Sequence, residues 1–369
     1  MRLWLLLLLT GLFSSSCQSS KENTTLLLVQ TLFRHGDRSP SRLYSSDPNE
    51  AAPWPEGLGK LTLIGRKQQY AVGKFLRSMY KDFVTSNPNE VLVNSSSADR
   101  CLRSAEALVA AFYAPEGIWK FEEGLSWQPI PIHYLPTEQD KYLSFASPCP
   151  RSLADSKRLY NSMQVQGIFQ KHKKILDFIS DQVGYNVSRG NSAFRLHDTL
   201  LIETIHNISI PEWAEQYWNE IGEVADAIYR SFFSSFTILR LRTGPLFEKI
   251  IENMERKING SNPGMKVQVF SSHDNNLGAV LLALNFTNIP RPPYSATLIL
   301  ELHRMENNIN AVRLLYLNST RPESDVGEPH SLVLEGCSEF CPLEYFEKKI
   351  QPFIPESWER ECQLEHDIL

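Results

Sequence analysis

Apolar positions at the start of the chain alternate between strand-like and helix-like patterns. Thr25 to Phe33 (TLLLVQTLF) is a nearly continuous apolar run of strand length, which is typical of a central strand buried on both faces. Thr62 to about Tyr80 has helical spacing, with Thr62 placed as an N-cap. Val91 to Val93 predicts a short strand and Asp99 to Tyr113 a second helix. This order of elements indicates a βαβ unit and a mostly parallel sheet.

The middle of the chain has a different pattern. From about residue 136 to residue 243 helical spacing dominates, at Ser152 to Val183 and at Trp213 to Phe232, and no strand is predicted. We therefore expect an inserted helical unit, a cap on the sheet-containing domain.

Strand patterns return near Val267, and a helical run follows from Asn275 to Leu284. Thr297 to Leu302 and Val312 to Leu317 alternate as expected for a late antiparallel pair. The predicted fold is thus α/β, with a mostly parallel central sheet, flanking helices and a mainly helical cap. The predicted α/β domain comprises residues 21–135 and 244–369, and the predicted cap comprises residues 136–243.

The first residues have the layout of a secretory signal. Arg2 is followed by an apolar run from Leu3 to Phe13 and then by three serines. This run is too short to span a bilayer, and the order of charge, apolar run and small residues is typical of a signal peptide. We predict a signal over residues 1–20, with a buried N-terminal helix as the alternative. No later run reaches spanning length, so no transmembrane anchor is expected.

Composition excludes several classes of protein. The chain has 369 residues, of which 42% are hydrophobic and 21% charged, and its formal net charge is −5. It can therefore bury a core and is not expected to be disordered. The acidic balance also argues against a nucleic-acid partner, because such proteins usually carry a basic surface.

Glycosylation sequons and cysteines both indicate the secretory pathway. Random composition would give about three or four Asn-x-Ser/Thr sequons, whereas the chain has seven, at Asn23, Asn94, Asn186, Asn207, Asn259, Asn285 and Asn318. Cys17 would leave with the signal, and the five other cysteines predict two disulfides and one spare thiol. Cys337 and Cys341 can close a tight loop, with a zinc site as the alternative.

The candidate chemistry begins where the first strand ends, at Arg34-His35-Gly36-x-Arg38-x-Pro40. Ligands bind at the carboxyl ends of strands in open α/β sheets. Guanidinium groups match phosphate oxygens, and a neutral imidazole between them can attack phosphorus to form a phosphohistidine. Gly36 is expected to let the backbone approach an anion closely. The alternative is a solvated basic turn.

A second polar pair, His273-Asp274, follows the later strand from Met265 to Phe270 and precedes a helix. His273 is placed to bind a phosphate oxygen, and Asp274 to donate a proton to the leaving alkoxide. The alternative for Asp274 is a simple helix N-cap.

These motifs resemble those of a known family. RHGDRSP is similar to the RHGxRxP signature of the histidine acid phosphatases, branch 2 of the histidine phosphatase superfamily, and SSHDNN resembles its HD motif. Further segments, in family order from about residue 25 to residue 362, resemble the prostatic and lysosomal acid phosphatases: SADRCLRSAEALVAAFYAPEG, WQPIPIH, SPCPRS, IHNISIPEWA, RPPYSATL, GCSEFCPL and SWEREC.

The resemblance implies roles for individual residues. His35 would be the nucleophile, Arg34, Arg38 and His273 would hold the phosphoryl group, and Asp274 would protonate the leaving group and then assist water. It implies no metal or organic cofactor. It also implies two disulfides and a homodimer interface; the residues concerned are Cys337–Cys341 and Cys149–Cys362 for the disulfides and Trp127 and His133 for the interface.

The chain departs from the family at one phosphate-binding position. The family usually has a third phosphate-binding Arg where this sequence has Asn94, in VNSSSADR. Loss of one such donor lowers rates by about 10²–10³. Arg100 and Arg103 are near in sequence, but neither occupies the equivalent position. A further family disulfide is replaced by Ile202 and Thr297, which leaves Cys101 as the expected spare thiol.

The sequence therefore predicts a secreted or lysosomal glycoprotein that hydrolyses phosphomonoesters, either small molecules or phosphoproteins, at acid pH. The alternative is a catalytically weakened, secreted binder of phosphorylated ligands. A phytase acting on inositol phosphates is a further alternative, and it would require a more basic pocket than these motifs indicate.

Overall fold

The computed structural model describes residues 24–49 and 54–364. The predicted signal peptide, Cys17 and the sequon at Asn23 lie outside the described residues. Within the described ranges, no helix has both the length and the apolar character needed to cross a bilayer.

A mixed sheet of eight strands forms the centre of the described structure. Its strands lie in the order β3-β2-β4-β1-β5-β6-β7, with β8 paired to β6. β1 to β4 run parallel, and β5 to β8 add antiparallel pairs at one side. This confirms the predicted α/β class and the late antiparallel pair. The strands are β1 Thr24–Arg34, β2 Val91–Ser96, β3 Ile132–Leu135, β4 Val267–Ser272, β5 Thr297–Met305, β6 Asn310–Leu317, β7 His330–Leu332 and β8 Cys341–Pro342.

The apolar run in β1 is explained by its two buried faces. Leu28 and Leu32 point to one face and pack in a cluster with helices that follow later in the chain. Val29 and Phe33 point to the opposite face and pack with the first two helices. Because successive side chains of a strand alternate between faces, a nearly continuous apolar run is needed to fill both layers.

Helices cover both faces of the sheet. α1 and α2 lie on one face, and α9, α10 and α11 on the other. The helices are α1 Leu63–Met79, α2 Asp99–Phe112, α3 Pro150–Tyr160, α4 Met163–Lys171, α5 Lys173–Val183, α6 Ser192–Ile205, α7 Glu212–Gln216, α8 Trp218–Ser231, α9 Phe236–Ile258, α10 Asp274–Ala283, α11 Leu343–Ile350 and α12 Trp358–Glu361, with short 3₁₀ turns at Pro88–Glu90, Gly117–Trp119 and Gln351–Phe353.

Helices α3 to α8 have an apolar cluster of their own, which includes Leu176, Leu196 and Ile221. They lie between residues 136 and 243, where the sequence predicts the cap. Helix α9, however, runs without interruption across residue 243. The division into residues 21–135 with 244–369 and residues 136–243 stays a prediction.

The turn after β1 is packed tightly against the start of α1. Thr62 caps α1 as predicted, since its Oγ1 accepts a hydrogen bond from the Gly65 amide at 3.1 Å. A Cβ atom on Gly36 would lie 2.4 Å from the Gly65 carbonyl oxygen. Gly36 is therefore needed for this backbone contact with Gly65. This reason for a glycine differs from the one expected from the sequence, which was the close approach of an anion.

The cysteines pair as the resemblance implied. Cys149, at the start of α3, is bonded to Cys362, next to α12, and Cys337 is bonded to Cys341. The zinc alternative for Cys337 and Cys341 is therefore wrong, because both sulfur atoms are consumed by the disulfide. Cys101 is free and buried, as expected for the spare thiol.

Candidate active site

The two polar motifs meet because the strands that precede them are parallel neighbours. Arg34 at the end of β1 is in register with Ser272 at the end of β4, and the His35 amide donates to the Ser272 carbonyl oxygen at 2.9 Å. The next residues, His35 and His273, therefore lie side by side. Their rings approach edge to face, with 5.5 Å between centroids.

His35 is held in the form that a nucleophile requires. Its side chain is 2% exposed, and Nδ1 lies 2.8 Å from the Gly36 carbonyl oxygen. A carbonyl only accepts, so Nδ1 carries the proton and Nε2 keeps a free lone pair. Burial, followed by the positive charges of Arg100 and Arg34, holds the pKa of His35 well below its usual range. The lowered pKa favours the neutral ring.

Three arginines present free donors around this histidine. The cavity has a volume of about 390 Å³, and its lining includes Arg34, Arg38 and Arg100. The Nε–H group of each is buried and has no hydrogen-bond partner among the described residues. Buried donors without partners are unfavourable unless a ligand satisfies them. These groups are suited to the oxygens of a tetrahedral oxyanion.

The structure places Asn94 outside the residues that line this cavity. Asn94 pairs with His133 of β3 and Phe270 of β4, two residues before β2 ends. Ser96 is the last residue of β2, and its Oγ lies 3.1 Å from His273 Nε2. The predicted contact between Asn94 and substrate stays a prediction, and Asn94 is not among the residues that line this cavity.

Arg100 takes up a position beside the two histidines. It lies in the first turn of α2, lines the cavity, and its Nη2 is 3.4 Å from His273 Nδ1. Arg103, one turn later, pairs instead with Asp99 at 3.2 Å and with Glu56. Of the two arginines near Asn94 in sequence, Arg100 is thus the one that reaches the cavity.

His273 is also neutral in this environment. Burial and then the charge of Arg100 lower its pKa to about 3. Because the guanidinium can only donate, His273 Nδ1 accepts from Arg100 and Nε2–H donates to Ser96. The expected contact of His273 with a phosphate oxygen stays a prediction, and it requires the Ser96 hydrogen bond to be exchanged.

Asp274 forms an ion pair instead of holding a proton. Its Oδ2 accepts from Arg291 Nε at 2.7 Å and lies 3.5 Å from Arg34 Nη2. Burial alone would raise the pKa of Asp274, but the charges of Arg291 and Arg34 outweigh it and hold this pKa well below its usual range. The N-cap alternative is wrong, since His273 is the N-cap residue of α10 and Asp274 is its first residue.

Two residues of the site are absent from the sequence-based prediction. Arg291 stacks over Phe194 at 4.6 Å and bonds Asp274. Asp198 on α6 bridges two arginines, Arg38 at 2.8 Å and Arg291 at 3.3 Å. The sequence contains a signal that could have identified Arg291, because this charged residue lies between prolines in IPRPPY. Asp198 had none, because the apolar spacing did not predict α6.

The cavity as a whole is strongly cationic. Its lining contains six arginines and two carboxylates, which gives a formal charge of +4 when both histidines are neutral. The arginines are Arg34, Arg38, Arg42, Arg100, Arg195 and Arg291, and the carboxylates are those of Asp198 and Asp274. A neutral nucleophilic imidazole at the base of such a cavity is equipped to bind a dianionic tetrahedral group and to accept a phosphoryl group from it.

Comparison with known sequences decides the family. A sequence model described as histidine phosphatase superfamily (branch 2) matches residues 25–317, which is most of the chain. The chain belongs to this family. It is therefore a phosphatase enzyme of the histidine acid phosphatase type, as the motifs at His35 and His273 predicted.

Named relatives of this histidine phosphatase are similar over most of their length. It is 33% identical to a lysosomal acid phosphatase of Xenopus laevis, over 94% of this chain and 81% of that protein. It is 32% identical to the prostatic acid phosphatase of Bos taurus, over 99% of this chain and 94% of that protein.

Solved structures share the fold of this histidine phosphatase. A phytase from Citrobacter braakii is similar with a TM-score of 0.66 at 17% identity, over 92% of this chain and 99% of that one. A Hafnia alvei phytase in complex with myo-inositol hexakis sulphate has a TM-score of 0.66 at 18% identity, over 92% of this chain and 99% of that one. At this level of identity the similarity concerns the fold.

Proposed function

We propose that this histidine phosphatase hydrolyses phosphomonoesters at acid pH through a phosphohistidine at His35. The observation that carries the proposal is a neutral His35 whose Nδ1–H is bound to Gly36, beside buried arginine donors without partners. The hydrogen bond leaves Nε2 as the nucleophilic atom. The arginines supply the charge that stabilises a transferring phosphoryl group.

The first step forms a bond between His35 Nε2 and phosphorus as the ester P–O bond breaks. The leaving alkoxide takes a proton from Asp274, and the alcohol departs. In the second step water attacks phosphorus and gives its proton to Asp274, while the P–N bond breaks and its electron pair returns to Nε2. Inorganic phosphate leaves, and no electron is transferred to or from any group.

Asp274 must gain a proton before it can act as an acid, although Arg291 and Arg34 favour its charged form. A bound phosphoryl group offers these arginines a competing anion and adds negative charge near Asp274. Both effects raise the pKa of a carboxyl group. We propose that substrate binding itself prepares Asp274 for proton transfer, which explains why an acidic side chain is held in an ion pair before reaction.

Trapping of the intermediate tests the proposed mechanism. We expect the purified protein to hydrolyse an aryl phosphate near pH 5. With ³²P-labelled substrate and a rapid alkaline quench, the label should remain on the protein as alkali-stable, acid-labile phosphohistidine within a peptide that contains His35. Turnover with label on another residue, or with no labelled protein at any quench time, would contradict the assignment of the nucleophile.

Replacement of Arg291 by glutamine should shift the pH profile. Without the Arg291 charge the pKa of Asp274 rises, so Asp274 keeps its proton to higher pH. The alkaline limb of the kcat profile therefore moves to higher pH. Hydrolysis of an alkyl phosphate, whose leaving group needs the proton, should improve relative to that of p-nitrophenyl phosphate. Arg304→Gln, on an exposed residue at the opposite end of the sheet, is the control. An unmoved alkaline limb in Arg291→Gln would refute this role.

We propose that the enzyme is a secreted or lysosomal glycoprotein. The signal-like N-terminus, the two disulfides and the sequons support this. The side chains of Asn186, Asn207, Asn259 and Asn285 are exposed, and that of Asn318 is half-buried. Treatment of protein secreted by cultured cells with an N-glycosidase should lower its apparent mass; an unchanged mass would contradict the glycoprotein proposal.

We also propose a homodimer through the exposed edge of the sheet. β3 is the terminal strand, His133 on it is exposed, and Tyr134 is 58% exposed. Trp127 is exposed as well and packs edge to face with Phe121. An edge strand beside exposed aromatic side chains commonly forms an interface with another protein chain. Light scattering should give twice the monomer mass, and a monomer would refute the proposal.

The weakened-binder alternative rested on the loss of an arginine at Asn94. Arg100 supplies a guanidinium to the cavity that contains His35, which favours the enzyme. The phytase alternative was set aside because the motifs showed too few basic residues. The cavity is more basic than the motifs indicated, which gives a reason to consider substrates with more than one anionic group.

A further inference from the structure

Two of the six cavity arginines take no part in the proposed chemistry. Arg42 follows β1 in the chain, and Arg195 lies on α6. Both line the cavity that contains His35, and both side chains are exposed to solvent. Arg34, Arg38, Arg100 and Arg291 contact the two histidines or the two carboxylates, whereas Arg42 and Arg195 do not.

A single hydroxyl group joins the backbone segments that carry the two arginines. Thr199 Oγ1 lies 3.0 Å from the Arg42 carbonyl oxygen and 3.2 Å from the Arg195 carbonyl oxygen. The loop after β1 and helix α6 are thereby joined at this point. Arg195, Asp198 and Thr199 are spaced three and four residues apart, so one face of α6 presents them to the cavity.

Among the described residues, no carboxylate compensates the charge of these two guanidinium groups. In the described parts of the chain, neither has a carboxylate within ion-pair distance, and the nearby Asp198 is bound to Arg38 and Arg291. Burial and then the positive charge of Arg42 lower the pKa of Arg195. Two neighbouring like charges repel each other, and this arrangement becomes favourable when an anion binds between them.

We propose that Arg42 and Arg195 form a second anion subsite, which binds a second phosphate group of a small polyphosphorylated substrate while the first reacts at His35. This inference rests on the proposed phosphatase function and names its substrate class. A cavity of about 390 Å³ lies in the usual range for small-molecule sites. The binding of two phosphate groups would explain why Arg42 and Arg195 line the cavity in addition to the arginines around His35.

The test compares two substrates that share one sugar, fructose 1,6-bisphosphate and fructose 6-phosphate, at pH 5. The bisphosphate has a statistical advantage of two, because it has two phosphates to lose. Beyond this factor we expect wild-type kcat/KM to favour the bisphosphate by about tenfold or more, the value of one charge-assisted contact. In Arg42→Gln and Arg195→Gln this ratio should fall, and in the double variant it should approach the statistical value.

The matched control is Arg189→Gln, which removes the same charge from an exposed residue in the turn between α5 and α6 and should leave the ratio unchanged. An unchanged ratio in the Arg42→Gln and Arg195→Gln variants, with both substrates still hydrolysed, overturns the subsite and leaves the phosphatase proposal intact. If wild-type protein hydrolyses neither substrate nor an aryl phosphate, the proposed function itself has failed.

A third substrate separates small molecules from peptides. A phosphotyrosyl peptide with flanking Asp and Glu residues also brings extra negative charge to the cavity. If the arginine variants lower kcat/KM for this peptide more than for fructose 1,6-bisphosphate, acidic phosphopeptides are the substrates and the small-molecule proposal is overturned. A larger effect on the bisphosphate supports it.

Discussion

Replacement of His35 by alanine is expected to abolish phosphatase activity, with kcat lower by roughly 10⁴–10⁶-fold, as is usual when a catalytic nucleophile is removed. The covalent route requires the Nε2 lone pair of His35. The neighbouring His273 cannot replace it, because Ser96 and Arg100 occupy its two nitrogens. Initial rates with p-nitrophenyl phosphate between pH 4 and 7 measure the loss.

Binding measurements distinguish loss of the nucleophile from loss of the fold. The arginine donors remain in His35→Ala, so the variant should still bind inorganic phosphate in a calorimetric titration. Alanine at His330, an exposed histidine of the outer strand β7, should leave the rate unchanged. Substantial turnover by His35→Ala, at more than about one hundredth of the wild-type rate, would show that another group attacks phosphorus.

Replacement of Arg100 by glutamine should lower kcat/KM by about 10²–10³, the usual effect of removing one transition-state donor. Arg100 places a guanidinium beside His273, and we propose that it compensates for the arginine that is absent at Asn94. It also contributes the largest positive-charge effect that lowers the pKa of His35. Activity requires neutral His35 and is lost as pH falls through this pKa. Because the pKa rises without Arg100, the acid limb of kcat/KM should move to higher pH.

The pH shift separates a role in catalysis from a role in folding. Arg100→Lys keeps the charge and should keep the acid limb near its wild-type position. Arg103→Gln, on the same helix but paired outside the cavity, should leave the profile unchanged. Asn94→Arg should gain little, since Asn94 does not line the cavity. A large rate gain in Asn94→Arg, with no loss in Arg100→Gln, would refute compensation by Arg100.

Ion pairs within the cavity link the reacting centre to the helices above the sheet. Asp198 on α6 contacts Arg38 from the turn after β1 and Arg291 from the loop before β5. Arg291 in turn holds Asp274. A change in the position of α6 would therefore change the charge environment of both Arg38 and Asp274. This arrangement explains how helices remote from the motifs can influence the chemistry at His35.

Local patterns were sufficient to predict much of the molecule. The run from Thr25 to Phe33 predicted β1 because a strand buried on both faces is apolar at most positions. Thr62 predicted the start of α1, because a hydroxyl group there satisfies free amides at the helix end. The positions of His35 and His273 after their strands predicted that both lie at the same edge of the sheet.

The sequence by itself determined the α/β class, the family and the central histidines, because strand periodicity and the RHGxRxP and HD motifs are local signals. Only the tertiary structure decided which charges from other parts of the chain join Arg34 and Arg38 around those histidines. Arg100, Arg291 and Asp198 come from separate elements, and no spacing along the chain relates them. The pKa of Asp274 depends on a residue 17 positions away across a helix and a loop, since electrostatic interactions depend on distance in space.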